Sequence, residues 1–142
     1  MILEELTKLI DKDSNIDKDN LDRESLKIAH LHSKYYSLMI DELKTYKRLE
    51  SEYNGLVKDK TEYYLGKSPD AVYRENPLFH KILKQDLELY LKSDKELNSI
   101  QLKLVEQKAK VDFIESFIKT INNRSFQISN AINFMKFKNV IN

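Results

Sequence analysis

The sequence has no cysteine and no tryptophan, with only two glycines and two prolines among 142 residues. Without cysteine there are no disulfides, thiolate metal sites or cysteine nucleophiles, and the chain suits a reducing compartment. So few glycines and prolines leave little room for hairpins, sandwiches or flexible linkers and favour long helices. Strong charge of one sign is also missing: 24 basic residues face 23 acidic ones, for a net charge of +1. A strongly basic nucleic-acid binder is thereby excluded, and any such activity needs locally concentrated charge or charge multiplied by oligomerisation. No apolar run approaches the roughly 20 residues of a membrane span. The opening Met-Ile-Leu-Glu-Glu-Leu carries acids where a signal peptide carries positive charge, so a cytosolic chain is expected.

What is present is charge and apolar periodicity. Charged residues make up 33% and hydrophobic residues 41% of the chain. The expected fold class is all-α, a single helical domain over residues 1–142, long enough to bury a core. Residues 1–12 read as a short amphipathic helix, with Ile2 or Leu3, Leu6, Leu9 and Ile10 on one face, ended by Asp13-Ser14-Asn15. Asp17, Asp19 or Asn20 can cap a long helix from about 19 to 64. Its stripe runs through Leu21, Ile28, Leu31, Tyr35, Leu43, Tyr46, Leu49, Tyr53, Leu56 and Tyr63 at spacings near the ordinary helical period. Gly66 is expected to end it in a left-handed cap.

The prolines fall in a predicted loop over 65–77, and Pro77 can open a new helix with Asn76 as its cap. Leu78, Ile82, Leu83, Leu87, Tyr90 and Leu91 give a short amphipathic segment. Leu87–Leu91 also alternates, which leaves extended backbone open there. Asp94 can cap the next helix. Leu97, Ile100, Leu104, Gln107, Val111, Ile114, Ile118 and Ile121 then alternate steps of three and four, the spacing of a coiled coil or tight bundle, with Phe113 and Phe117 widening the seam. Asn122–Ser125 is a hinge candidate. Phe126, Ile128, Ala131, Ile132, Met135 and Phe137 form a last amphipathic segment, so the C-terminal helices span about 94–137. More apolar stripe is present than a simple three-helix monomer needs, which points to self-association.

Enzyme chemistry finds little support. His30 and His32, two apart on a helix, point to different faces and cannot share a metal. His80 stands alone beside Phe79, and all three histidines read as structural or surface residues. Phosphate loops, nucleophile elbows and zinc spacings are missing. No cofactor is expected.

The stretch Leu56–Lys67 offers a different chemistry. Lys58, Lys60, Tyr63, Tyr64 and Lys67 cluster at a helix end, and two readings are open. The lysines can be ordinary exposed cations favoured by the helix dipole, with Asp59 and Glu62 diluting them. Alternatively, Lys58, Lys60 and Lys67 contact phosphates while a tyrosine stacks a base. Tyr63 then belongs to the core and Tyr64 is the exposed stacking ring.

An ordered set of features resembles the UvsY recombination mediator proteins of myoviruses over nearly the whole chain. It comprises Ile16-Asp17 and Leu21, Ser33-Lys34-Tyr35, Lys58 and Lys60 before Tyr63-Tyr64 and Gly66, Ser93-Asp94-Lys95, Asp112, Ile118-Lys119, Arg124-Ser125-Phe126, Ile128, Ala131-Ile132 and Phe137. The resemblance implies a non-enzymatic protein of the host cytoplasm that binds single-stranded DNA. It also implies a homo-oligomeric ring of about six or seven copies. Such proteins help a RecA-like recombinase assemble on DNA covered by single-strand-binding protein, in recombination, repair and recombination-dependent replication.

The family's lysine-x-basic pair falls on Lys58 and Lys60. Where arginine can stand at the second position, lysine keeps the phosphate contact but not the bidentate fork. The loop after Gly66 departs most from the family pattern. The family's oligomerisation segment falls on Ile114, Ile118, Ile121, Phe126 and Ile132, joined here by the seam residues Leu104 and Val111. Two rival expectations stand beside this one: a coiled-coil scaffold or adaptor that binds only proteins, and a small helical inhibitor of a partner's groove.

Overall fold

The computed structural model describes the backbone of residues 1–141 and the side chains of residues 1–139. The all-α expectation holds: the order is α1 (Leu3–Ser14), α2 (Leu21–Leu26), α3 (Ile28–Tyr64), α4 (Asp70–Glu75), a 3-10 turn (Lys84–Asp86), α5 (Leu87–Ser93), α6 (Lys95–Asn122) and α7 (Arg124–Ile141). No strand occurs among the described residues. The chain packs as two compact units, residues 1–43 with 108–142, and residues 44–107.

Several boundaries differ from the sequence expectations. The long helix is broken once, at Lys27, whose N–H is shared between the carbonyls of Arg23 and Glu24. Asp17, rather than capping directly, forms an Asx turn, accepting from the Asp19 N–H at 3.0 Å and the Asn20 side chain at 2.6 Å. Pro77 opens no helix, and the predicted loop instead contains α4. Leu87–Leu91 is helical, so its alternation carries no extended backbone. Asp94 does cap α6, its Oδ1 accepting from the Leu97 N–H at 3.1 Å.

The core of the first unit is Leu6 and Ile10 of α1, Leu31 and Tyr35 of α3, and Ile114, Phe117, Ile118 and Ile121 of α6. Tyr35 is fully buried, edge-on to Phe117 with ring centroids 4.7 Å apart. Its hydroxyl donates to Asp13 Oδ2 at 2.7 Å, the same oxygen that accepts from Lys34 Nζ at 2.6 Å. Burial alone would raise the Asp13 pKa, but the bonds from Lys34 and Tyr35 outweigh it and hold the carboxyl below its ordinary value. Arg124, at the start of α7, is 1% exposed and donates to the Asp13 carbonyl at 2.8 Å. The α6–α7 break is thereby anchored on the last turn of α1. In the same unit, buried Glu42 pairs with Lys110 at 3.3 Å, and Lys110 donates to the Met1 carbonyl at 2.9 Å.

The seam of α6 is mostly consumed inside the chain. Leu97, Gln107, Val111, Ile114, Ile118 and Ile121 are buried, and Leu104 is half-buried. Val111, Ile114, Ile118 and Ile121, expected as self-association residues, are buried within this chain. The expected α7 stripe is the reverse case. Among its described apolar residues only Ile128 is deeply buried, whereas Phe126, Ile132, Phe134, Met135 and Phe137 are exposed.

Replacing Ile114 with Ala should therefore cost about 2–5 kcal/mol, the range for a large-to-small change in a packed core. Leu102→Ala, at a site 62% exposed, should stay within about 0.5 kcal/mol. Urea unfolding of both variants checks the contrast.

Candidate nucleic-acid interface

The site is built on the C-terminus of α3, within residues 44–107. Gly66 adopts φ +76°, which glycine tolerates without a Cβ penalty. Its N–H donates to the Tyr63 carbonyl at 3.1 Å and the Lys67 N–H to the Glu62 carbonyl at 2.8 Å. This is the double closure of a Schellman motif. The expected left-handed cap is present, and it turns the chain sharply after the basic stretch.

Tyrosines hold the turn. The Tyr73 hydroxyl donates to the Tyr63 carbonyl at 2.8 Å and accepts from the Ser68 N–H at 3.2 Å. The rings of Tyr63 and Tyr73 stack at 5.4 Å, and the Tyr63 hydroxyl donates to the Asn76 carbonyl at 2.9 Å. Tyr64 lies edge-on to Tyr63 at 5.1 Å and tilted against Tyr90 at 5.6 Å. Sequence reasoning found Tyr63 and Tyr64 as a cluster and placed Tyr90 in a separate amphipathic segment, but it gave no role to Tyr73, which sits outside any regular stripe.

Asp94 links this helix end to α6. It is 6% exposed. One oxygen caps α6; the other accepts from the Tyr64 hydroxyl at 2.6 Å and pairs with Lys60 Nζ at 3.2 Å. Lys60 also reaches exposed Glu96 at 3.4 Å. Burial pushes the Asp94 carboxyl up, but the bonds from Tyr64, the Leu97 N–H and Lys60 outweigh burial and hold it below its ordinary 3.8. Burial and the Asp94 carboxylate together push the Tyr64 phenol far above its usual value.

The four predicted contact residues therefore have unequal access. Lys58 and Lys67 are exposed. The Lys60 side chain is only 20% exposed. Tyr64, expected to be free for stacking, is half-buried with its hydroxyl committed to Asp94, because a carboxylate buried at the α6 cap takes the nearest strong donor. A groove of about 370 Å³ beside these residues is lined by Asp59, Lys60, Tyr63, Tyr64 and Glu96, among others. Among the described residues no group of three acids or histidines could hold a metal, and no helix is long and apolar enough to cross a membrane.

Comparison with known proteins gives this geometry a context. The family model for "Recombination, repair and ssDNA binding protein UvsY" matches residues 9–141. The chain belongs to the UvsY family. Crystal structures of the bacteriophage T4 recombination mediator protein UvsY share its fold. One lattice type superposes with a TM-score of 0.83 at 24% identity, covering 97% of this chain and 98% of that one. Another gives a TM-score of 0.82 at 22% identity, covering 97% and 99%. No curated protein sequence matches the chain.

The Asp94 junction has a pH signature. A carboxyl whose folded pKa is depressed stabilises above its unfolded value and loses that contribution as pH falls through the folded one. Asp94→Asn should be less stable than the parent chain at neutral pH, and the gap should close as pH drops below about 3.8. Thermal melts from pH 7 to pH 2 test this; a gap that persists at pH 2 would exclude the ionic origin.

Proposed function

We propose that this chain is a recombination mediator. In this reading it binds single-stranded DNA as a homo-oligomeric ring and helps a RecA-like recombinase load onto DNA covered by single-strand-binding protein. The setting is phage recombination, repair and recombination-dependent replication in the host cytoplasm. The observation that carries the reading is the match of residues 9–141 to the UvsY family of recombination, repair and single-stranded-DNA-binding proteins. The role is non-enzymatic: the protein supplies surface and geometry, and no bond is made or broken.

The physical mechanism follows from charge and valency. A subunit of net charge +1 attracts DNA weakly, but a ring repeats the patch, and one strand touching several patches gains avidity through effective concentration. Lys58 and Lys67 are the open cations of the patch. Lys60 joins them by exchanging exposed Glu96 for a phosphate while keeping Asp94. A strand held on such a ring is constrained, which opposes cooperative binding by the covering protein and leaves room for the recombinase to nucleate. The exposed apolar side chains of α7, Phe126, Ile132, Phe134 and Phe137, are the surface proposed for subunit contact, and half-buried Leu104 of α6 is proposed as a separate contact residue. An adaptor that binds only proteins would use the same α7 surface and give the lysines no role.

A fluorescent single-stranded oligonucleotide titrated at several salt concentrations tests the DNA contacts. Lys58→Ala with Lys67→Ala should weaken binding and flatten the salt dependence by about 0.7 log units per lost phosphate contact. Lys60→Ala is made separately and melted in parallel, since it removes a partner from buried Asp94. Unchanged binding in both variants would remove the patch from the mechanism. Sedimentation tests the ring: Phe126→Glu with Phe137→Glu should shift the protein to smaller species while its helical content is kept.

A further inference from the structure

Tyr64 forms part of two different grooves in the unit of residues 44–107. The first, described above, contains the carboxylates of Asp59 and Glu96, and its lysine is already paired. The second, of about 400 Å³, runs between the Gly66 turn and the coil Leu78–Ile82. Among its lining residues are Gly66, Phe79, His80 and Lys81, and none of its lining residues is acidic. Phe79 is 85% exposed, the most exposed large apolar side chain among the described residues. A lone exposed apolar residue is ordinary. This one differs in its setting, a free aromatic face in a groove whose charged side chain is a cation. Lys67 follows Gly66 directly, and Lys84 begins the 3-10 turn after the coil. The tyrosines at the helix end are meanwhile occupied with one another and with Asp94.

We propose that the base-stacking platform for single-stranded DNA is Phe79, with Lys81 and Lys67 on the adjoining phosphates, so that stacked bases occupy the Gly66–Phe79 groove beside the Lys58 and Lys60 phosphate contacts. The inference rests on the single-stranded DNA reading and deepens it by naming where the bases stack. Stacking on an aromatic ring beside cations is the sequence-tolerant chemistry such binding needs, because every base offers a π face. The second groove sets no carboxylate against the strand and offers it the Lys81 cation. The coil Leu78–Ile82 lies outside any helix, so Phe79 can be positioned without disturbing a helical ladder.

The test compares oligo(dT) with a matched abasic oligomer that keeps the phosphates and lacks the bases. Phe79→Ala should lose roughly five- to a hundredfold in affinity for oligo(dT), the span for removing one base stack, and should bind the abasic oligomer as the parent does. Phe79→Trp should keep its affinity. As the chain has no tryptophan of its own, the new indole should report stacking by fluorescence quenching with oligo(dT) and not with the abasic oligomer. Equal binding of oligo(dT) by Phe79→Ala and the parent overturns the proposal, as does an equal loss on both oligomers. Should Phe79→Ala fail to fold, an unquenched indole in a DNA-bound Phe79→Trp overturns it instead. If the parent chain fails to bind oligo(dT), the DNA reading itself falls and takes this inference with it.

Discussion

Each unit is locked by one carboxylate that accepts from a tyrosine hydroxyl and a lysine ammonium, both supplied by α3. In the first unit the acid is Asp13, the donors Lys34 and Tyr35. In the second it is Asp94, the donors Lys60 and Tyr64. A partly buried carboxylate is costly unless its lone pairs are filled, and charge-assisted donors fill them best. The two acids also do local work: Asp13 closes the end of α1, where Arg124 binds its carbonyl, and Asp94 caps the start of α6. The repeated device fixes which face of α3 turns inward, and so which lysines remain outside.

That sorting bears on how a near-neutral protein handles a polyanion. Lys58 and Lys67 stay open while Lys60 is drawn into the fold by Asp94 and shared with exposed Glu96. A phosphate approaching Lys60 competes with a carboxylate that is already seated, whereas Lys58 and Lys67 carry no such competitor in the ion pairs of this helix end. Lysine suits the shared position, because a compact ammonium can serve two acceptors in turn where a planar guanidinium would commit its fork to one.

Much of this was legible in the sequence, for identifiable reasons. The helices followed from periodicity, and the stops at Asn15 and Gly66 and the break at Asn123 followed from residues with strong local preferences. Asp94 was readable as a cap because capping depends on the three residues that follow it. Its second oxygen was not, since its partners Lys60 and Tyr64 are distant in sequence, and that one contact turned Tyr64 from an exposed ring into a half-buried donor. The stripe of α6 was visible as a stripe. Whether it closed within a chain or between chains was not, because periodicity gives a face and not its occupant. Leu87–Leu91 alternates like a strand yet is helical, a limit of reading period from five residues. The exposure of Phe79 had no sequence signal, as a single aromatic in a short coil carries no periodicity.

The tyrosine–aspartate locks also set an alkaline limit on the fold. Both phenols, Tyr35 and Tyr64, are driven far above the ordinary value of 10.0 by burial and by the carboxylate each one faces. Below pH 10 their contribution to stability is complete. Above it the unfolded chain gives up these protons readily while the folded chain must keep them, since a phenolate would stand against a carboxylate. Stability therefore drains away with rising pH through the same two side chains that hold α3 in place, and both units loosen on the alkaline side for one chemical reason.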